Sequence, residues 1–120
     1  MRDARVEGAW PWILQRVTAL ALLCMLGIHM LVTHFQHPPP LTFEQVEARF
    51  RVSPTGWFWF DFLFLLVALF HGLNGIRIIV YDFRPSRPVQ LAVTGLLWAV
   101  GLGAAVAGHI ILLPYYHAGK

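Results

Sequence analysis

Three long apolar runs constrain the fold of this chain more than any other feature. They extend from about residue 12 to 35, from about 57 to 81 and from about 89 to 113. Each exceeds the roughly 20 residues that a helix needs to cross a hydrocarbon layer about 30 Å thick. Backbone groups find no water in lipid, so each run has to be helical. The sequence therefore predicts an all-α membrane protein with three transmembrane helices arranged up-down-up, forming a single membrane-anchor domain over residues 1–120.

The composition excludes most soluble functions. Only 12% of the 120 residues are charged and 58% are hydrophobic, whereas a soluble domain has about 25% charged residues. The net charge of +3 comes mainly from arginines that lie before, between and near the ends of the apolar runs. No basic patch interleaved with aromatics is present, so we expect a lipid bilayer and no nucleic acid as partner. We expect Cys24, inside the first run, to be a small buried hydrophobic residue rather than a reactive thiol.

The distribution of arginines predicts the orientation of the chain. One side of an up-down-up arrangement carries Arg2, Arg5, Arg16, Arg84 and Arg87. The other side carries Arg49 and Arg51, offset by Glu44 and Glu47, together with the terminal Lys120. The positive-inside rule then puts the N-terminus in the cytoplasm and the C-terminus in the periplasm. The absence of an arginine- and serine-rich transit peptide favours a multi-pass protein of a bacterial inner membrane over a mitochondrial one.

The link between the first two runs is the only long one. His37-Pro38-Pro39-Pro40 ends the first span, because prolines cannot continue a helix. Thr42 and Gln45 then have the spacing of a capping box, with Thr42 as N-cap. This predicts a short amphipathic helix over about residues 42–50 on the outer surface, although an ordinary loop turn also fits.

The third run contains small residues spaced four apart. Gly101 is followed by Ala105, and Ala104 by Gly108. Such spacing lets helix backbones approach closely in a membrane, so we interpret this side of the third span as a packing face.

His71 is the most informative polar residue in the spans. It lies about 12 residues from the cytoplasmic end of the second span, hence roughly 18 Å deep. An imidazole at that depth either bonds to a neighbouring helix or ligates a metal such as haem iron, and position alone leaves both open. Gly75, one turn further on, predicts room for a flat group on the same face. Asp82 lies within roughly 20° of that face, nearer the cytoplasm.

The remaining polar residues have two interpretations each. Arg16 either extends to the headgroups or contacts haem propionates. Arg77 has the same two possibilities, or it pairs with a carboxylate such as Asp82 or one on a partner. His29 lies further out than His71 and is either an interhelical hydrogen-bonder or the ligand of a second haem. We expect the other histidines, which are His34, His37, His109 and His117, to be solvated or interfacial. One well-placed ligand in this chain predicts a partner subunit that carries the other.

Two segments resemble the membrane anchors of succinate dehydrogenase. The first runs from Phe58-Trp59-Phe60-Asp61 through the His71-Gly72-Leu73-Asn74-Gly75-Ile76-Arg77 stretch to Asp82, and matches their pattern of a histidine followed after ten residues by aspartate. The second, Gln15-Arg16-Val17-Thr18-Ala19-Leu20, is similar to the opening of their first span. Length and the number of spans agree, and the Trp-Phe-Asp lead-in favours the smaller, D-type anchor.

The resemblance implies a place in complex II. There the chain would join a flavoprotein, an iron–sulfur subunit and a second membrane anchor in electron transfer from succinate to quinone. His71 matches the axial ligand of a haem b shared with the partner anchor, Arg16 matches a propionate contact, and Asp82 matches the acid beside the quinone site. Phe83 replaces the family's quinone-bonding tyrosine, which leaves Tyr81, on another helix face, as a candidate.

Two other functions are compatible with the sequence. A fumarate reductase anchor has the same architecture and differs in direction. A non-redox assembly protein, or a small metal-binding protein that uses the outer histidines, is of a different class. No nucleophile–base pair or phosphate loop is apparent, so we expect the chain to be non-catalytic alone.

Overall fold

The computed structural model describes residues 9–36 and 39–118, and its regular elements are helices. Helix α1 covers Ala9–Met30 and continues as a π-helical turn over Leu31–Phe35. Helices α2, α3 and α4 cover Phe43–Val52, Pro54–Asp82 and Arg87–Ala118. The predictions that concern Arg2, Arg5, His37, Pro38 and Lys120 lie outside the described residues.

Three of the helices are long and apolar enough to cross a membrane, which confirms the predicted all-α, three-span fold. They span Ala9–Phe35, Pro54–Asp82 and Arg87–His117, and each extends a few residues beyond the predicted apolar run. The second span shows the reason at its start. Pro54 occupies the first turn of α3, where the fixed φ of proline suits a helix and no N–H is needed. Hydropathy alone does not mark such a residue as helical.

The apolar side chains mostly point away from the molecule. Among the described residues, the buried apolar side chains are Phe50 and Phe58, at 2% and 4% exposure. Leucines, isoleucines and tryptophans along all three spans are exposed, as suits helices whose surroundings are lipid or other subunits. The expectation that Cys24 is buried is wrong, because it lies on an exposed face of α1.

Helix α3 lies at the centre and packs against both α1 and α4. On the α4 side, a Cβ placed on Gly101 would come within 2.9 Å of Leu73 Cδ1, and one on Gly108 would collide with the side chain of Leu65. These glycines therefore let α4 approach α3 closely, which confirms the predicted packing face.

Helix α2 forms where an ordinary loop turn was the alternative. The N–H of Gln45 donates to Thr42 Oγ1 at 3.3 Å, and the N–H of Thr42 donates to Gln45 Oε1 at 3.0 Å. This is the predicted capping box. Phe50 of α2 stacks on Tyr115 of α4 at 5.3 Å between ring centroids, so α2 packs on the bundle through its aromatic face.

Candidate functional site at His71

His71 lies within α3 and faces α1. Thr18 Oγ1 lies 3.1 Å from His71 Nδ1, and Gln15 Nε2 donates to the carbonyl of His71 at 3.0 Å. Gln15 and Thr18 are three residues apart on α1, so they project from one face of that helix. The structure thus holds both the ring and the backbone of His71 from the same neighbouring helix.

The polar contacts continue along α3 in steps of three residues. Asn74 Nδ2 donates to Gln15 Oε1 at 2.8 Å, and Arg77 Nη2 donates to Asn74 Oδ1 at 3.2 Å. Asn74 is buried, and a buried amide is costly unless its groups are bonded. The network therefore binds α1 to α3 over one turn on either side of Asn74.

The face above Gly75 differs from the prediction. We expected room there for a flat group, but Gln15 Nε2 would lie 3.2 Å from a Cβ at this position. The absence of a side chain at Gly75 serves the approach of α1, and the predicted clearance is occupied by Gln15. A cofactor at His71 must therefore lie to another side of the ring.

The second ring nitrogen of His71 is the atom left for a ligand. Within residues 9–36 and 39–118, the structure gives Nδ1 a partner in Thr18 and gives Nε2 none. The side chain is half-buried, and Nε2 is not among the buried nitrogen and oxygen atoms that lack a partner. Nε2 is therefore reachable from outside this chain, at a depth near the middle of the span.

The other predicted site residues lie apart from the ring. Arg16 is exposed and stacks over Trp12, with 4.1 Å from Cζ to the ring centroid. Asp82 is the last residue of α3 and is exposed, as is Phe83 beside it. In the described part of the chain Asp82 forms no ion pair with Arg77, whose guanidinium lies over the ring of Tyr81 at 5.4 Å.

The hydroxyl of Tyr81 is engaged within the chain. It donates to the carbonyl of Gln90 at 3.2 Å and lies 2.6 Å from Thr94 Oγ1. These contacts tie the end of α3 to the start of α4, so a quinone would have to compete for this hydroxyl.

A second polar cluster lies at the opposite end of α3, and sequence reasoning missed it. Arg49 Nη2 and Asp61 Oδ2 are 2.6 Å apart, with both side chains at most 15% exposed. The guanidinium of Arg49 also lies over the rings of Phe50 and Trp57, at 5.0 and 4.8 Å. The sequence contained a signal for this cluster: Asp61 is an acid inside the second apolar run, and such a residue requires a compensating partner.

The outer histidines differ in their surroundings. His34 and His117 are exposed, as expected. His109 is half-buried and packs against Phe58 and Phe62, at 5.7 and 5.3 Å between centroids. His29 lies 5.5 Å from the ring of Phe64. In residues 9–36 and 39–118 there is no group of three or more His, Cys, Asp or Glu side chains placed to hold a metal ion.

The fold and this site define a class of protein: a small helical subunit with three membrane spans and a histidine held within its second span. Residues 4–108 match the family described as succinate dehydrogenase/fumarate reductase transmembrane subunit. The match covers most of the chain, and the chain belongs to this family.

Individual relatives agree with the family. The chain is 29% identical over 94 residues to succinate dehydrogenase 2 membrane subunit SdhC of Mycobacterium tuberculosis, covering 78% of this chain and 66% of that subunit. It is also 29% identical to the succinate dehydrogenase hydrophobic membrane anchor subunits of Thermoplasma acidophilum and Archaeoglobus fulgidus, covering 82% and 71% of this chain and 80% and 71% of theirs. No solved structure matches the chain significantly. The resemblance of this chain to succinate dehydrogenase membrane anchors is confirmed.

Proposed function

We propose that this anchor supplies one axial ligand of a haem b, through His71, in a succinate:quinone oxidoreductase. The second ligand is a histidine of a second membrane-anchor subunit. The observation that carries the proposal is the pair of ring nitrogens in His71: Thr18 holds Nδ1, and the described residues offer Nε2 no partner. A neutral imidazole bound through one nitrogen, with its other nitrogen hydrogen-bonded, is the usual arrangement of a histidine metal ligand.

The surroundings of His71 fit a haem that is shared between two chains. The groove between α3 and α4, of about 420 Å³, is lined by residues such as Leu73 and Trp98 and does not include His71. The ring is half-buried and lies outside this groove, so a haem bound to it would need a second subunit as its other wall. When bound, the haem supplies a one-electron redox centre; this chain binds and orients it.

Arg16 and the end of α3 have proposed roles on the predicted cytoplasmic side. Arg16 is exposed on α1 two residues before Thr18, where a guanidinium suits a haem propionate. Asp82, exposed at the end of α3, is proposed to lie beside the quinone site. Tyr81 is the weaker candidate for a quinone contact because its hydroxyl bonds to α4.

The partners that follow are a flavoprotein, an iron–sulfur subunit and a second anchor, with quinone as the substrate at the membrane. The proposed location is a bacterial inner membrane with the N-terminus in the cytoplasm. Operation as a fumarate reductase would use the same residues in the opposite direction.

The proposal is tested on the purified complex with His71→Ala. We expect the α and Soret bands of haem b to disappear from the dithionite-reduced minus oxidised spectrum, because the variant lacks the imidazole proposed to bind the iron. Pyridine haemochrome is quantified per covalent flavin. His29→Ala is the matched control, because it removes an imidazole from α1 instead of α3. We expect it to leave the haem content of a one-haem complex unchanged. Full haem content in His71→Ala would contradict the proposal.

A further inference from the structure

We infer that Thr18 is a positioning residue that fixes the tautomer of His71 and thereby prepares Nε2 to bind iron. The inference rests on the proposed function and deepens it. It concerns a residue on α1 that is 53 positions away in the sequence and that would not itself touch the haem iron.

The proton of the Thr18 hydroxyl decides the direction of the contact. A hydroxyl has one proton and accepts with its lone pairs. Thr18 Oγ1 donates to the carbonyl of Leu14 at 2.7 Å, with the carbonyl of Gln15 at 3.2 Å. The proton is thus committed to the backbone of α1, and the oxygen faces His71 Nδ1 with a lone pair.

The neutral ring must then carry its own proton on Nδ1. Nδ1–H donates to Thr18 Oγ1 across the 3.1 Å that separates them, and Nε2 is left unprotonated. A lone pair on Nε2 is the form that ligates a metal, and the hydrogen bond from the other nitrogen fixes ring orientation and raises ligand basicity. The opposite tautomer would require Thr18 to abandon its short bond to Leu14.

The register between α1 and α3 maintains this contact. Gln15 bonds at once to the carbonyl of His71 and to the side chain of Asn74, at 3.0 and 2.8 Å. Gly75 leaves the space that Gln15 fills. The amide of Gln15 therefore sets the rotation of α1 at which the next polar residue on its face, Thr18, meets the ring.

The test compares Thr18→Val with Thr18→Ser in the assembled complex. Valine keeps the shape of threonine and removes the acceptor, so the ligand becomes less basic and the ferric state less stabilised. We expect a higher haem midpoint potential, a shifted low-spin EPR signal, and haem affinity reduced roughly 10-fold or more, as for other lost partners of metal ligands. Serine keeps the hydroxyl and retains the wild-type values.

Thr33→Val is the matched control, in the π-helical turn that continues α1. The Thr33 hydroxyl donates to the carbonyl of His29, one turn earlier, at 2.6 Å, as Thr18 donates to the carbonyl of Leu14. Among the described residues, however, the structure gives the Thr33 hydroxyl no imidazole partner. Its removal leaves the potential and the EPR signal unchanged. If Thr18→Val does not assemble, Thr18→Cys makes the comparison, because a thiol is a weak acceptor.

The outcomes separate this inference from the proposed function. A wild-type potential, EPR signal and haem affinity in Thr18→Val, while His71→Ala has no haem, would overturn the role of Thr18 alone. Full haem in His71→Ala would overturn the proposed function first. A shift of equal size in Thr33→Val would show a general effect of losing a hydroxyl and would also overturn the inference.

Discussion

At the scale of single residues, polar side chains along α3 are stabilised inside the membrane in two different ways. From the middle of α3 toward the predicted cytoplasmic side, a network of hydrogen bonds joins Thr18 to His71, Gln15 to Asn74, and Asn74 to Arg77. Toward the other side, a charged pair, Arg49 and Asp61, is enclosed by aromatic rings. Among the described residues, this network leaves Nε2 of His71 without a partner, whereas the Arg49–Asp61 pair links α2 to α3.

The charged pair leads to a prediction about stability. Arg49→Met leaves the carboxylate of Asp61 buried without its counter-ion, which costs about 3–5 kcal/mol. Arg51→Met is the matched control on the same helix. Its guanidinium is 69% exposed and lies 3.3 Å from Glu47, so the loss is expected to be below about 1 kcal/mol.

The measurement is the free energy of unfolding of the detergent-solubilised protein in a denaturant titration. Equal losses for the two arginine variants would show that burial of the pair contributes nothing.

At the scale of elements, close approach between helices depends on where glycines lie. Gly108 of α4 meets the side chain of Leu65 on α3, while Gly103, on the same helix, has open space around it. Both lie in the same apolar span, so the lipid environment does not distinguish them. Contact with α3 does.

Gly108→Val is therefore expected to force α4 away from α3. Overpacking of this kind costs about 1–3 kcal/mol. Gly103→Val adds the same side chain to the open face and is expected to be nearly neutral. Thermal unfolding of the two variants in one detergent measures the difference, and a Gly108→Val protein as stable as Gly103→Val would refute the close packing of α3 and α4.

At the scale of the whole molecule, the chain has the shape of a membrane subunit rather than a globule. Its extents are 57 × 25 × 24 Å, and its apolar side chains are mostly exposed to its surroundings. His71 is likewise only half-buried within this chain. Both features suit a chain that is completed by lipid and by other subunits.

The predicted orientation is testable on the intact membrane. The single cysteine, Cys24, is first replaced by serine. Ser86→Cys, in the link between α3 and α4, is expected to react with a membrane-impermeant maleimide only after the membrane is opened, because the positive-inside rule puts Arg84 and Arg87 in the cytoplasm. Ser53→Cys, between α2 and α3, is expected to react in intact spheroplasts. The reverse pattern would invert the topology.

The sequence by itself determined the three spans, the capping box of α2 and the small-residue face of α4. Each of these depends on residues near one another in the chain: a run of apolar side chains, Thr42 with Gln45, or Gly101 with Ala105. It also singled out His71, because a histidine within an apolar run requires a partner wherever the other helices lie.

The tertiary structure alone decided which partners these residues have. Thr18 meets His71 only at one rotation and one depth of α1 against α3, and Gln15, Asn74 and Gly75 set that rotation together. The same holds for Cys24, which lies on an exposed face of α1: hydropathy gives the depth of a residue in the membrane but not the direction in which its helix face points. Rotation about a helix axis is fixed by contacts with other helices, and those contacts join residues that are far apart in the chain.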